Sequence, residues 1–181
     1  TPARTGSWSQ GDTDAIINVY KWFYNSIRGV DDSHIIFIQG TFNNWDWSVL
    51  PAPSDNGWTN VVYSFHEYQW PTTNSVDNIK GGIDAQVNDY NAHSNWNVPC
   101  FIGEWNGFEG YSTTFQYAVN KFDSAGIHWT MWAYKAVNGA CGVTAGSFWG
   151  EYCISRWPAR PTLDTDSADD IESKWRNWAT S

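Results

Sequence analysis

The sequence predicts an α/β chain built on a parallel sheet. Short runs that are apolar throughout alternate with segments whose apolar residues recur at helical spacing. A strand apolar on both faces must be covered on both, and helical crossovers between parallel strands do this. A third observation is that each apolar run ends in polar or aromatic residues. In a parallel sheet such ends lie on one side, where βα loops gather chemistry.

The elements follow in order. From Asp14 to Gly29, Ile16, Ile17, Tyr20, Phe23, Tyr24 and Ile27 recur at helical spacing behind a cap at Asp12 or Thr13. His34 to Ile38 is a strand that stops at Gln39-Gly40, and Asn60 to Phe65 is a second, ending in His66-Glu67-Tyr68. Val76, Ile79, Ile83, Val87 and Tyr90 mark a helix that tolerates Gly81-Gly82 in its middle. Pro99 introduces the third strand, Val98 to Gly103. Phe115, Ala118, Val119 and Phe122 form a helical stripe that stops at Gly126. Ile127 to Tyr134 is the expected fourth strand. Ile171, Trp175 and Trp178 give the apolar face of a last helix capped near Asp166 or Ser167.

The 181 residues are expected to form a single domain, 1–181. A net charge of −9 argues against nucleic acid, whose phosphates need clustered Lys and Arg. No stretch approaches the ~20 consecutive apolar residues of a membrane span. Aromatic residues make up 18% of the chain and include 14 Trp, more than one small core needs. Some serve that core. The surplus, beside many Asn, suits a surface that meets sugar rings, because indole offers a flat apolar face and amides satisfy hydroxyls.

Of the three cysteines, Cys141 and Cys153 bracket a loop rich in glycine and aromatics and are expected to form a disulfide. Cys100, inside a strand, is expected to be a buried free thiol. With no Cys-x-x-Cys or His-Glu-x-x-His spacing, neither a metal nor another cofactor is expected. The acidic composition and the disulfide point to a secreted protein, and the start at Thr1 reads as processed or excised.

The strand ends carry Gln39, then His66 and Tyr68, then Glu104 and Asn106, then Trp132 and Tyr134-Lys135. Each has an ordinary use alone, but four successive ends of this kind suggest one shared site. The stretches His66-x-Tyr68, Ile102-Gly103-Glu104-Trp105-Asn106 and Trp129-Thr130-Met131-Trp132-Ala133-Tyr134-Lys135 resemble the second half of glycoside hydrolase family 5. Those enzymes are retaining β-glycosidases on (β/α)8 barrels. The segment Ile27 to Ile36 resembles the lead into their fifth strand, and Trp58 to Tyr63 the lead into the sixth.

The resemblance implies hydrolysis of a β-glucan or cellulose-type polysaccharide, with Glu104 as the nucleophile that forms a glycosyl-enzyme intermediate. It implies that Tyr68 bonds Glu104 or the sugar, that His66 lines the cleft, and that Trp132 is the sugar platform. Gln39, Trp105, Asn106 and Lys135 complete the expected substrate-binding set.

The family pattern also has an Asn-Glu pair on strand four, which supplies the acid/base, and an arginine from an earlier strand. Only Thr1 to Gly11 precedes the first predicted helix, so neither has a counterpart here. Gln39 stands where relatives often carry glutamate. The expected architecture is therefore a (βα)4 half of the barrel, strands five to eight, completed by a second copy into a two-fold ring. In that ring the two Glu104 carboxylates face each other four strands apart. Glu67, Glu109 and Glu151 are fallback acids. Two other readings remain: a silent carbohydrate-binding relic, and a fragment whose partner half is missing.

Overall fold

A computed structural model of the chain describes residues 10–40, 47, 50–68, 75–105, 111–132, 135–137, 152–154 and 164–180. The chain gathers into two compact units, Thr1–Met131 and Trp132–Ser181. The first holds helix α1 (Gln10–Arg28), strands β1 (Ile36–Gln39) and β2 (Val61–Glu67), helix α2 (Val76–Ala92), strand β3 (Cys100–Trp105), helix α3 (Tyr111–Ala125) and strand β4 (His128–Trp129). The four strands form one sheet in the order β1-β2-β3-β4, every pair parallel. This is the expected α/β half-barrel arrangement.

Alternation along β2 divides its side chains between two faces. Val61, Tyr63, Phe65 and Glu67 are buried, while Val62, Ser64 and His66 between them are partly open. The buried set belongs to the helix-covered layer. Ile79, Ile83 and Val87 of α2, Ala118 and Phe122 of α3, and Cys100 and Ile102 of β3 share that core. Cys100 is the expected buried free thiol, and burial pushes its ionisation well above the usual thiol range.

Local signals set the helix ends. Ser75 caps α2 by accepting the Asn78 N–H at 3.2 Å. Gly126 ends α3 in the left-handed region (φ 70°), with the Ile127 N–H returning to the Phe122 carbonyl at 2.9 Å.

Three features differ from the sequence expectation. Helix α1 packs through Tyr20, Tyr24 and Arg28 rather than through its more apolar side. Tyr20 donates to the Gln39 carbonyl at 2.6 Å, and the Tyr24 oxygen accepts from the Thr59 N–H at 2.9 Å. Val19, Trp22, Phe23, Ile27 and Val30 consequently form an exposed stripe.

The second difference is the crossover between β1 and β2. Among its described residues the helical structure is one short 3-10 turn, Pro53–Asn56. The fully buried Trp47 covers β2 instead, stacked on Phe65 with ring centroids 4.7 Å apart.

The third is the fourth strand, which is shorter than Ile127 to Tyr134. The β3–β4 pairing covers His128 and Trp129, and the Thr130 hydroxyl then turns back to donate to the Gly103 carbonyl at 2.7 Å. A side chain satisfying that carbonyl marks the end of the ladder.

In the second unit, β5 (Lys135–Val137) pairs in parallel with β6 (Tyr152–Ile154), and α4 spans Ala168–Thr180. Ser167 caps α4, accepting the Asp170 N–H at 3.1 Å, as its sequence predicts. No helix among the described residues is long and apolar enough to cross a membrane.

Candidate active site

The site begins with a register shift. β2 and β3 pair Phe65 with Ile102 and then His66 with Glu104, so Gly103 is one extra residue in β3. Strict alternation from the buried Cys100 and Ile102 would send Glu104 into the helix layer with them. The extra residue reverses the phase. Glu104 turns to the open face beside His66, and Trp105 takes the buried position. Glycine suits this point because a Cβ on residue 103 would stand 3.3 Å from Ser64 Oγ and 3.6 Å from the His66 ring.

Three strand ends then converge. Gln39 Nε2 lies 3.1 Å from His66 Nε2, and His66 Nδ1 lies 3.5 Å from Glu104 Oε2. The Tyr68 hydroxyl donates to the same Glu104 oxygen at 3.2 Å. About a third of the Glu104 side chain is exposed, so it is held and still reachable.

Burial makes the His66 imidazole harder to protonate, and this outweighs the pull of the Glu104 charge in the opposite direction. Burial, then the Glu104 charge and hydrogen bond, keep the Tyr68 phenol well above its ordinary range. Tyr68 therefore remains a donor to the carboxylate across neutral pH.

This arrangement can present a carboxylate with one oxygen held by the Tyr68 hydroxyl. Among the described residues no group of three or more His, Cys, Asp or Glu is placed to hold a metal ion.

The structure thus brings Gln39, His66, Tyr68 and Glu104 together. Trp105 is a correction to the expected sugar-contacting set. It is 1% exposed and packed against Phe115, Phe122 and Trp129, leaving no ring face for a ligand. Glu67 is buried on the opposite face of β2 from His66, so it is no substitute acid beside Glu104.

Trp132 is 50% exposed at the start of the second unit, and Lys135 opens β5 there. Asn106, Glu109, Cys141 and Glu151 lie outside the described residues, and with Cys141 goes the expected bridge to Cys153. The residue that sequence reasoning passed over is Gly103. A glycine within an apolar strand is the available signal for a bulge.

Comparison with known proteins places the chain among known folds and in a family. The fold resembles an endo-1,4-β-D-mannanase from Thermotoga petrophila with a TM-score of 0.54 and 14% identity, covering 93% of this chain and 52% of that one. Cel5A of Thermotoga maritima, solved with mannotriose, gives 0.50 and 13% identity, over 90% and 54% of the two chains. Cellulose synthase subunit Z of Clostridioides difficile gives 0.50 and 16%, over 90% and 56%. The chain therefore spans about half the length of each of these structures. No curated protein matches it. The model of the cellulase family, glycosyl hydrolase family 5, matches residues 2–138, more than half of the sequence, and the chain belongs to that family.

Proposed function

We propose that this chain contributes the nucleophile half of a retaining glycoside hydrolase site for β-linked glucan, with Glu104 as the attacking carboxylate. The observation that carries the reading is the placement of both donors on one oxygen. Tyr68 and His66 both address Oε2, at 3.2 and 3.5 Å. The second oxygen is thereby the one aimed at an anomeric carbon.

In the first step Oε1 bonds to that carbon as the glycosidic C–O bond breaks and the leaving oxygen takes a proton. In the second, water attacks the glycosyl ester, Glu104 leaves, and the water proton passes to a base. The acid/base is not assigned to any described residue. A second copy closing an eight-stranded ring would bring another Glu104 across the cleft. Trp132 and Lys135 are proposed sugar contacts. The acidic composition favours a secreted protein.

The test is turnover of an aryl β-glucoside with a good leaving group. Such a substrate needs little help from a general acid, whose absence otherwise costs about 10²–10⁴-fold. Glu104→Gln is expected to abolish turnover while leaving glucan binding nearly unchanged. A variant that keeps wild-type turnover would remove Glu104 from the role. A wild type that binds glucan but never cleaves the aryl glucoside would instead establish a silent binding module. Running aryl β-mannoside in parallel separates glucan from mannan preference, since the similar structures include a mannanase.

A further inference from the structure

We propose that Gln39 is a positioning residue that fixes the His66 tautomer, so that the imidazole proton sits on Nδ1 and faces Glu104. The inference deepens the proposed function and rests on Glu104 being the working carboxylate.

Two side-chain nitrogens meet at the end of β1 and β2. Gln39 presents its amide Nε2 to His66 Nε2 at 3.1 Å. An amide nitrogen can only donate, so the imidazole nitrogen opposite must accept through its lone pair. A neutral imidazole carries one N–H, which must then be on Nδ1, 3.5 Å from Glu104 Oε2. The opposite tautomer would turn the Nδ1 lone pair toward a carboxylate and, with the amide oriented as it stands, confront two donors at Nε2. It is unfavourable at both ends.

Gln39 is itself held. Tyr20 donates to its carbonyl at 2.6 Å, and the next N–H, on Gly40, is bonded to the Ser64 carbonyl at 2.8 Å. β1 also pairs Gln39 with Ser64, two residues before His66 on the same face of β2. The amide thus reaches His66 from a fixed backbone. Substrate closure can shorten the long Nδ1 contact, as catalytic hydrogen bonds often tighten in complexes.

Nitrogen-15 NMR of histidine-labelled protein near neutral pH reads the tautomer directly. In the wild type, His66 is expected to show a protonated, pyrrole-type Nδ1 and an unprotonated, pyridine-type Nε2. Gln39→Leu should mix the tautomers, and Gln39→Glu should move the proton to Nε2 or yield imidazolium, because a carboxylate there accepts. Aryl glucoside turnover should fall about tenfold in Gln39→Leu, the worth of one hydrogen bond.

A wild-type signal with the proton on Nε2, or a Gln39→Leu signal identical to wild type, overturns the assignment whatever the activity does. Loss of turnover with an unchanged nitrogen signature overturns it too. If the wild type proves catalytically silent the proposed function fails, and the nitrogen signature still decides the role of Gln39. Far-UV circular dichroism on each variant confirms that the sheet is intact.

Discussion

At His66 two influences oppose each other. Burial disfavours the imidazolium, Glu104 favours it, and burial prevails, so the folded-state pKa lies below the ordinary 6.5. Between 6.5 and that lower value the unfolded chain takes up a proton that the folded chain refuses. The His66 contribution to stability is therefore complete above pH 6.5 and is lost as pH falls toward the folded pKa. His66→Gln removes the titration. Urea midpoints of wild type and variant should differ by a constant amount above pH 6.5, and the wild type should lose ground below it. A difference that stays level, or moves in favour of the wild type in acid, counts against a buried neutral histidine. At this scale the sequence was informative about which residues meet, because His66, Tyr68 and Glu104 occupy recognisable strand ends. It was silent about which way Trp105 turns. That depends on one extra residue in β3, and adjacent residues after a bulge exchange faces.

Arg28 ties two elements at the end of the sheet opposite the site. Its guanidinium donates to the carbonyls of Asp31 (3.2 Å) and His34 (3.0 Å) ahead of β1, and of Thr59 (2.9 Å) and Asn60 (3.2 Å) ahead of β2. One planar group serving four carbonyls holds the starts of both strands in register, which in turn sets Gln39 beside His66. Arg28→Ala should lower unfolding stability by roughly 1–3 kcal/mol, a range discounted for the exposure of these bonds. Arg28→Lys should recover less than half, since an ammonium cannot span both strand ends. Urea denaturation measures both, and a change below about 0.5 kcal/mol in Arg28→Ala would show that the clamp is incidental. Helices α2 and α3 were legible from periodic apolar residues that pack on one face. The β1–β2 crossover was not, because a single buried indole at Trp47 has no period to detect. The fourth strand stops short of its apolar run, which continues past Thr130, where a side-chain hydrogen bond accompanies the end of the ladder.

For the whole molecule, the exposed apolar surface is the informative quantity. Val19, Trp22, Phe23 and Ile27 line one side of α1, Val30 follows in the turn after it, and Ile35 and Phe37 stand open before and within β1, each between 37% and 88% exposed. Phe37 meets Phe101 edge to face across the inner side of the sheet, with centroids 5.4 Å apart. Among the described residues the sheet also ends at β1 and β4 with no further strand paired to either, and such edges invite strand addition. We predict that a second copy covers this surface, β1 of each copy joining β4 of the other. At about 25 cal/mol per Å2, covering several hundred square ångströms contributes several kcal/mol, against an association cost of similar size. The outcome therefore turns on electrostatics. Each copy carries a net charge of −9, so the two repel, and added salt should strengthen self-association by screening. Sedimentation across protein and salt concentrations should show dimer at micromolar protein, favoured at higher salt. Trp22→Glu and Phe37→Glu should each shift the equilibrium toward monomer without loss of helical signal. A well-folded wild-type monomer at micromolar concentration at every salt level would sink the two-copy ring, and with it the proposal that a second Glu104 faces the first.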